Sequence, residues 1–491
     1  MKDLKKKILQ NLNDSLDKKE LDLLEKAFDF AEKSHSNQQR QSGELFINHP
    51  LRVALTVSQM KLGLNAVIAG LLHDTAEDCQ VPLTKIRSEF NEEVAFLVQG
   101  LTKVNQIKYK SQQEDTIAEK ENFRNMILAL AKDLRIIIIK LADRLDNMKT
   151  LWSLSSKKQR KKSLETIDIL APLAYRLGMT DIASQLEDLA FPYVFPEEYK
   201  LTRKILGKRR EEQKEYLSNL IPLTKKKLEE NNLNSKEIKF RTKHLYSVWR
   251  KLQKEEMDIR RIYDLVAMRI IMKDVEKCYA ALGAIHQMWK PVPGRFKDYI
   301  ALPKPNGYQS LHTTVFAKDG RMVEIQIRTL KMDEEAEWGI AAHWLYSSAK
   351  QTKGYKKRRS FCPPKNFYWI NQLREWQKTF YQSEDFLNAL KVDFFKDRIF
   401  VLTPKGDIID LPDGATPIDF AYQIHTDIGN QAIRALVNRK LVPLDYNLQS
   451  GEIVEIIIKK GKKPSSSWLG FVKMNETKKK IQDVLKGKKL V

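Results

Sequence analysis

The apolar residues of this chain change their spacing once, and that change fixes what the chain can fold into. Up to about residue 195 they recur at the three- and four-residue intervals of helices, as in Leu21–Lys33, Asn65–Glu77 and Glu121–Trp152, with few strand-like runs. From about residue 238 alternation takes over, with candidate strands at Leu265–Met272, Leu311–Phe316 and Met322–Arg328 and helices between them. Two prolines in Phe191–Pro196, followed by the charged helical stretch Glu197–Glu230, put a boundary near residue 196. Residues 351–365 are basic and proline-punctuated and read as an exposed loop. After one more helix, a compact strand-rich unit runs from about Phe395 to Ile458, with turns at Pro404–Gly406 and Pro412–Gly414. The expected fold is multidomain, α followed by α/β. It comprises an all-helical domain at 1–195, an α/β domain with a mixed sheet at 196–370, a helical linker at 371–394, a small ubiquitin-like unit at 395–458 and a basic tail at 459–491.

Three domains suit the length, because 491 residues exceed the roughly 250–300 that one core can hold. Lys and Arg outnumber Asp and Glu by 86 to 63, and a net charge of +23 draws polyanions such as nucleotides, tRNA or the ribosome. The chain has no run of about 18 apolar residues, and its opening residues lack the apolar stretch of a signal peptide. The expectation is a soluble cytoplasmic protein with no membrane partner. Cys79, Cys278 and Cys362 are scattered, so neither disulfides nor a zinc knuckle is expected.

Two constellations carry chemistry. In the first, residues 65–78 place Val67, Ile68, Leu71 and Leu72 on an apolar face and then supply His73, Asp74, Glu77 and Asp78. A continuous helix there pairs 73 with 77 and 74 with 78. His49 precedes Pro50 at the expected start of a helix. In residues 135–150, Asp143, Asn147 and Thr150 form a polar stripe on a buried helix, which is costly unless those groups meet a partner. Two imidazoles and two carboxylates, His49, His73, Asp74 and Asp143, suit a divalent ion such as Mn²⁺, with Glu77 and Asp78 one turn away to deprotonate a bound water.

In the second, Met322–Arg328 puts Glu324, Gln326 and Arg328 on one face and Val323, Ile325 and Ile327 on the other. If the strand opening with Asp264 is its neighbour, Asp264 and Glu324 can share Mg²⁺ against nucleotide phosphates. Arg241, Lys243 and Lys251 on one segment and Arg295, Lys297 and Lys304 on another supply the cations that phosphoryl transfer requires. Tyr308, after the Pro305-Asn306-Gly307 turn, is expected to expose its ring for stacking on a base.

These words are recognisable. The order His49, His73-Asp74, Asp143 resembles the HD phosphohydrolase superfamily. Residues 294–315, 324–329 and 337–344 (GRFKDYIALPKPNGYQSLHTTV, EIQIRT, EWGIAAHW) resemble the RelA/SpoT homologue family of stringent-response enzymes. Residues 40–50, 71–78 and 140–150 look like that family's hydrolase motifs, and 397–430 resembles its TGS module, so the likeness runs from about residue 20 to 480.

The resemblance implies a Mg²⁺-dependent synthetase that moves pyrophosphate from ATP to the 3′-hydroxyl of GDP or GTP, and a Mn²⁺-dependent hydrolase that removes it from (p)ppGpp. It implies metal and catalytic roles for Asp264 and Glu324, and guanine stacking for Tyr308. Ser247, Asn306, Gln309 and His312 join the cations as substrate contacts, and Arg40, Asn147 and Thr150 serve the hydrolase. Arg295-Phe296-Lys297-Asp298 has the basic form found in members that retain hydrolysis. The TGS module implies the ribosome and the tRNA acceptor end as partners, with His425 the residue to watch. Alternatives are a hydrolase-dominant enzyme with a weak synthetase, or a ribosome- or tRNA-binding regulator.

The chain also departs from the pattern. Asp146 stands where the family has His, Gln41 where it often has a basic residue, and Asp333 and Glu334 where it has His and a basic residue. Asp146 is expected at the rim of the hydrolase pocket, where its charge opposes a bound pyrophosphate and Asp146→His lowers the Michaelis constant. The sequence ends soon after the TGS-like unit, so the zinc-finger-like and ACT domains that the resemblance implies for long members are expected to be missing.

Overall fold

The computed structural model describes residues 1–12, 16–105, 132–258, 262, 265–304, 306–342, 392–393 and 398–487. They fall into two compact units, one reaching residue 342 and one from residue 392 onward, and each is described by itself. The expected basic loop at 351–365 and nearly all of the 371–394 linker lie outside the described residues.

Among the described residues, helices build the first unit up to residue 230, apart from one isolated bridge between Gln39 and Leu45. Helix Lys18–Ser34 starts at a capping box, in which Asp17 and Glu20 each accept from the other's backbone N–H. Helix Leu134–Lys149 matters most. Asp133 caps it, and Ile136, Ile137, Ile138 and Ile139 in succession make it apolar on every side, so it is buried all round. Asp143, Arg144 and Asp146 are carried into the interior with it.

The helix expected over 65–77 is broken. It runs from Leu64 to Leu72 and resumes at Thr75–Asp78, with His73 and Asp74 in the turn between. Two side chains take the carbonyls that a continuous helix would use: His73 Nδ1 pairs with Gly70 O at 2.9 Å and Thr75 Oγ1 donates to Leu72 O at 2.7 Å. The pairing of 74 with 78 survives, since Asp78 N donates to Asp74 O. Of the helix expected over 121–152, the part before residue 132 is outside the described residues.

The boundary near 196 is a kink at Phe195 between helices Thr180–Val194 and Pro196–Glu230. Rings cross it: Phe191 and Phe195 pack against Tyr246 and Trp249 of helix Leu245–Lys254, and Tyr199 packs edge-on against Phe191, so the helical and sheet regions share a core.

The sheet contains β1 (Glu237–Thr242), β2 (Val266–Met272), β3 (Lys290–Pro291), β4 (Lys297–Asp298), β5 (Leu311–Phe316) and β6 (Met322–Thr329), in the order β1-β2-β6-β5-β3 with β4 on β5. β2 and β6 are parallel neighbours, Met268 beside Ile325, and the other pairs are antiparallel. Met268, Ile270, Val323, Ile325 and Ile327 face helices Pro196–Glu230 and Val275–Met288. Alternation puts Lys239, Arg241, Arg269, Glu324, Gln326, Arg328 and His312 on the opposite face.

Two glycines close the junction between the regions. Ile340 N donates to Leu177 O, Thr180 Oγ1 donates to Ala336 O at 2.6 Å, and Gly178 and Gly339 touch backbone to backbone, both at positive φ.

In the second unit β7 (Arg398–Leu402) pairs with β8 (Ile408–Pro412), and β9 (Ala432–Val437) lies between β10 (Lys440–Val442) and β11 (Val454–Ile458). An isolated parallel bridge from Leu402 to Ile453 links the two sheets, and helix Pro417–Ile424 packs on their shared core. The basic stretch after Ile458, where a helix was expected, carries helix Asn475–Leu485 and folds onto helix Pro417–Ile424. Trp468, Val472 and Ile481 pack against Ile418 and Tyr422, and buried Asp419 accepts from the N–H groups of Lys473 and Met474.

A Cβ on Gly339 would lie 2.2 Å from Leu177 O, at a φ of +57° with ψ −129° that side chains avoid. Gly339→Ala is expected to cost at least about 2 kcal/mol and to lower the thermal midpoint by about 4 °C or more, read by circular dichroism.

Candidate active sites

In the helical region His49 (helix Asn48–Gln59), His73 and Asp74 (the turn) and Asp143 (helix Leu134–Lys149) converge. His49 Nε2 is 3.5 Å from Asp74 Oδ2 and 3.3 Å from Asp143 Oδ1, while His73 Nε2 is 3.0 and 3.8 Å from the same atoms. Ligand atoms of His49, His73 and Asp74 all lie within 4.8 Å of one another. Each imidazole turns its other nitrogen to an acceptor, Gly70 O for His73 and Asp146 Oδ2 for His49 at 2.7 Å. His73 Nε2 is buried without a hydrogen-bond partner. A divalent cation fits that orphaned nitrogen and this donor set.

Burial disfavours the His49 cation, but hydrogen bonds to Asp143, Asp146 and Asp74 outweigh it and push the imidazole up to about 10. A metal ion binding there displaces a proton. Partial desolvation, then the charges of Asp74 and Glu77, push the Asp78 carboxyl up to about 6, a useful range for proton transfer.

Asp146 is not at the rim. Its residue is 4% exposed, and its carboxylate accepts from His49 Nδ1, from Arg52 Nε at 2.6 Å and from Arg40 at 3.1 Å. Two guanidiniums offset its charge, so the expected repulsion of a polyanion loses its basis. Arg40 and Asn147, both expected to meet substrate, bond to each other, and Asn147 also donates to Asp143. Thr150 caps the helix end. Sequence reasoning missed Arg52, held by Glu44, and Lys140, whose Nζ is 2.6 Å from Asp143. The available signal was spacing, since Arg52 and Lys140 each stand three residues from a proposed ligand.

On the polar face of the sheet, His312 Nδ1 is 3.1 Å from Glu324 Oε1, and Tyr308 Oη is 2.7 Å from His312 Nε2. Lys304 Nζ sits over the rings of Tyr299 and Tyr308, at 4.7 and 5.1 Å. Burial, then the charges of Lys297 and Arg241, push Lys304 down to about 8. Arg241, Lys297, Arg295 and Lys251 are exposed. Lys243 follows β1. Ser247 bonds the Tyr175 hydroxyl.

The Tyr308 ring is half-buried where exposure was expected, because Lys304 and Arg328 crowd it. Asn306 donates to Tyr175 O and accepts from Tyr308 N, and Gln309 donates to Ile300 O, so both brace the loop. Beside that loop, Ile300, Pro303, Gly307, Gln309, Thr329 and Met332 line a cavity of about 400 Å³. Asp264 lies outside the described residues. Asp333 is buried and takes Lys239 at 2.8 Å, Arg269 at 3.0 Å and Arg328, so an acid suits that position in this chain.

A buried His and Asp cluster among helices defines an HD domain, and the HD domain model matches residues 27–180. Residues 240–351 match the region found in RelA / SpoT proteins, and residues 399–458 match the TGS domain. The chain is 45% identical over 464 residues to a guanosine-3′,5′-bis(diphosphate) 3′-pyrophosphohydrolase of Aquifex aeolicus, covering 94% of this chain and 64% of that one. It is 44% identical to a GTP pyrophosphokinase of Myxococcus xanthus, covering 95% and 61%. It is 41% identical to the bifunctional (p)ppGpp synthase/hydrolase SpoT of Escherichia coli, covering 95% and 65%. The chain thus belongs to the RelA/SpoT family, and it spans between 61% and 65% of the length of these curated relatives. No helix among the described residues is long and apolar enough to cross a membrane.

Burial works against the ionised form of Asp146, yet the hydrogen bonds from His49 and Arg52 hold it down at about 2. A depressed carboxyl contributes stability above its unfolded value, here about 2 kcal/mol, which is lost as pH falls from about 4 toward 2. In chelator-treated protein, the thermal midpoint is expected to fall over that window, and less steeply in Asp146→Asn.

Proposed function

We propose that the chain makes and destroys (p)ppGpp at two sites in its first unit. Synthesis consumes ATP and GDP or GTP and yields (p)ppGpp and AMP, and hydrolysis returns GDP or GTP and pyrophosphate. The observation that carries the reading is the pairing, in one unit, of a buried cation-ready cluster with an orphaned His73 Nε2 and a cation-rich sheet face bearing Glu324 and His312. The names of the relatives, a hydrolase, a pyrophosphokinase and a bifunctional enzyme, support both directions.

For hydrolysis, His49, His73, Asp74 and Asp143 would hold Mn²⁺. When bound, such an ion lowers the pKa of a coordinated water far enough to supply a nucleophile near neutral pH. Asp78, with Glu77 beside it, receives the proton. Arg40, Asn147 and Thr150 border the cluster and bind the nucleotide.

For synthesis, Asp264 and Glu324 would hold Mg²⁺, which neutralises phosphate charge. Glu324, paired with His312, draws the proton from the attacking 3′-hydroxyl. Arg241, Lys243, Lys251, Arg295, Lys297 and Lys304 hold the phosphates, while Ser247, Asn306 and Gln309 present the loop on which Tyr308 stacks against guanine. The second unit offers His425, exposed at the start of helix Thr426–Gln431, to the tRNA acceptor end on the ribosome. The cytoplasm is the compartment that holds these substrates.

The test separates the sites. Asp74→Asn is expected to cut ppGpp hydrolysis at least about 100-fold while synthesis continues, and Glu324→Gln to do the reverse. Labelled-nucleotide assays with GDP, ATP and Mg²⁺, and with ppGpp and Mn²⁺, read both. Loss of both activities in both variants would sink the two-site reading.

Lys304 adds a pH signature. Its cation predominates below about 8, so affinity for nucleotide phosphates should fall as pH rises past that value. The Michaelis constant for GDP is expected to rise between roughly pH 7 and 9 in the native protein and to stay level in Lys304→Arg, whose side chain remains charged.

A further inference from the structure

Asp146 makes four polar contacts that the reaction as described leaves unused. Its Oδ2 is 2.7 Å from His49 Nδ1, 3.1 Å from Arg40 Nη1 and 3.2 Å from Arg52 Nη2, and its Oδ1 is 2.6 Å from Arg52 Nε. Arg52 is gripped in turn by both oxygens of Glu44. The carboxylate therefore has no freedom to turn, and it is closed off from solvent.

An ionised carboxylate can only accept, so the hydrogen on this bond belongs to His49 Nδ1. That leaves Nε2, the atom facing Asp74 and Asp143, as the nitrogen a divalent cation can take by displacing the proton it shares with those acids. His73 reaches the same orientation by donating to a neutral backbone carbonyl. The two imidazoles thus differ in one respect, that His49 leans on a full negative charge. Such an outer partner fixes the tautomer and makes the imidazole the better electron donor.

We propose that Asp146 is a positioning residue of the hydrolase metal site, locking the His49 ring and tautomer so that Nε2 can bind a divalent cation, with Arg52 and Glu44 as its brace. The proposal rests on reading His49, His73, Asp74 and Asp143 as a metal site. It assigns the acid that departs from the family pattern to metal affinity, where repulsion of substrate had been expected.

The test measures Mn²⁺ binding directly, by the electron paramagnetic resonance of free Mn²⁺ in titrations of chelator-stripped full-length protein. Asp146→Ala should weaken Mn²⁺ binding about 10- to 100-fold, as loss of outer-shell partners does elsewhere. Asp146→Asn, which keeps an acceptor oxygen but loses the charge, should fall between that variant and the native protein. At saturating Mn²⁺ both variants should recover most of the native hydrolysis rate, which general damage to the fold would prevent, and synthesis should be unchanged. Native affinity in Asp146→Ala overturns the proposal, as does weakened binding whose hydrolysis rate excess Mn²⁺ fails to restore. If Asp146→Ala does not fold, Asp146→Asn decides on the same terms, with unchanged affinity overturning the idea. A native protein that binds no Mn²⁺ would instead sink the metal-site reading itself.

Discussion

Buried carboxylates repel one another, and the helical region is organised around holding three of them about one imidazole, His49, with Asp146 at Nδ1 and Asp74 and Asp143 at Nε2. Asp143 and Asp146 have no choice about burial, because four consecutive isoleucines make their helix apolar on all sides and force it into the interior. Each acid then needs a cation. Asp143 has Lys140, Asp146 has Arg52 and Arg40, and Asp74 has the two imidazoles. A buried charge without a partner would cost several kcal/mol, so the positions of Arg52 and Glu44 follow from those of the acids. His73 Nε2 lies where two of the acids meet, 3.0 Å from Asp74 Oδ2 and 3.8 Å from Asp143 Oδ1.

The sheet region solves the opposite problem. Its polar face gathers Lys239, Arg241, Arg269 and Arg328 on adjacent strands, and the crowding shows at Arg269, pushed down to about 10 by burial and then by Arg328. Asp333 supplies one counter-charge to three of these cations, and Glu324 is tied to His312. The surplus of positive charge that remains suits ligands bringing several phosphates. The two regions are joined by backbone as much as by side chains. Asn306, two residues from Tyr308, reaches the carbonyl of Tyr175, and Gly178 meets Gly339 close by.

Much of this was legible in one dimension. Periodicity marked the helical and sheet regions, because burial on one face imposes a spacing of 3.6 on a helix and 2 on a strand. The gathering of His49, His73, Asp74 and Asp143 was legible too, since His and Asp in apolar surroundings advertise a need for partners. Spacing also erred where side chains compete with backbone. His73 and Thr75 break a helix whose apolar pattern runs on undisturbed.

What the sequence determined by itself is the order of the regions, the residue types gathered in each and the family. What only tertiary structure decided is which charge faces which. Asp146 reads as an exposed liability because sequence gives its distance along one helix from Asp143. Its actual surroundings are His49 and Arg52, some 95 positions away in the chain. Electrostatic energy depends on separation in space and on burial, and neither is a function of separation along the chain. The same holds for Asp333, whose three cations come from three strands. The sign of a residue can be read from its letter, but its effect depends on the neighbours that folding brings to it.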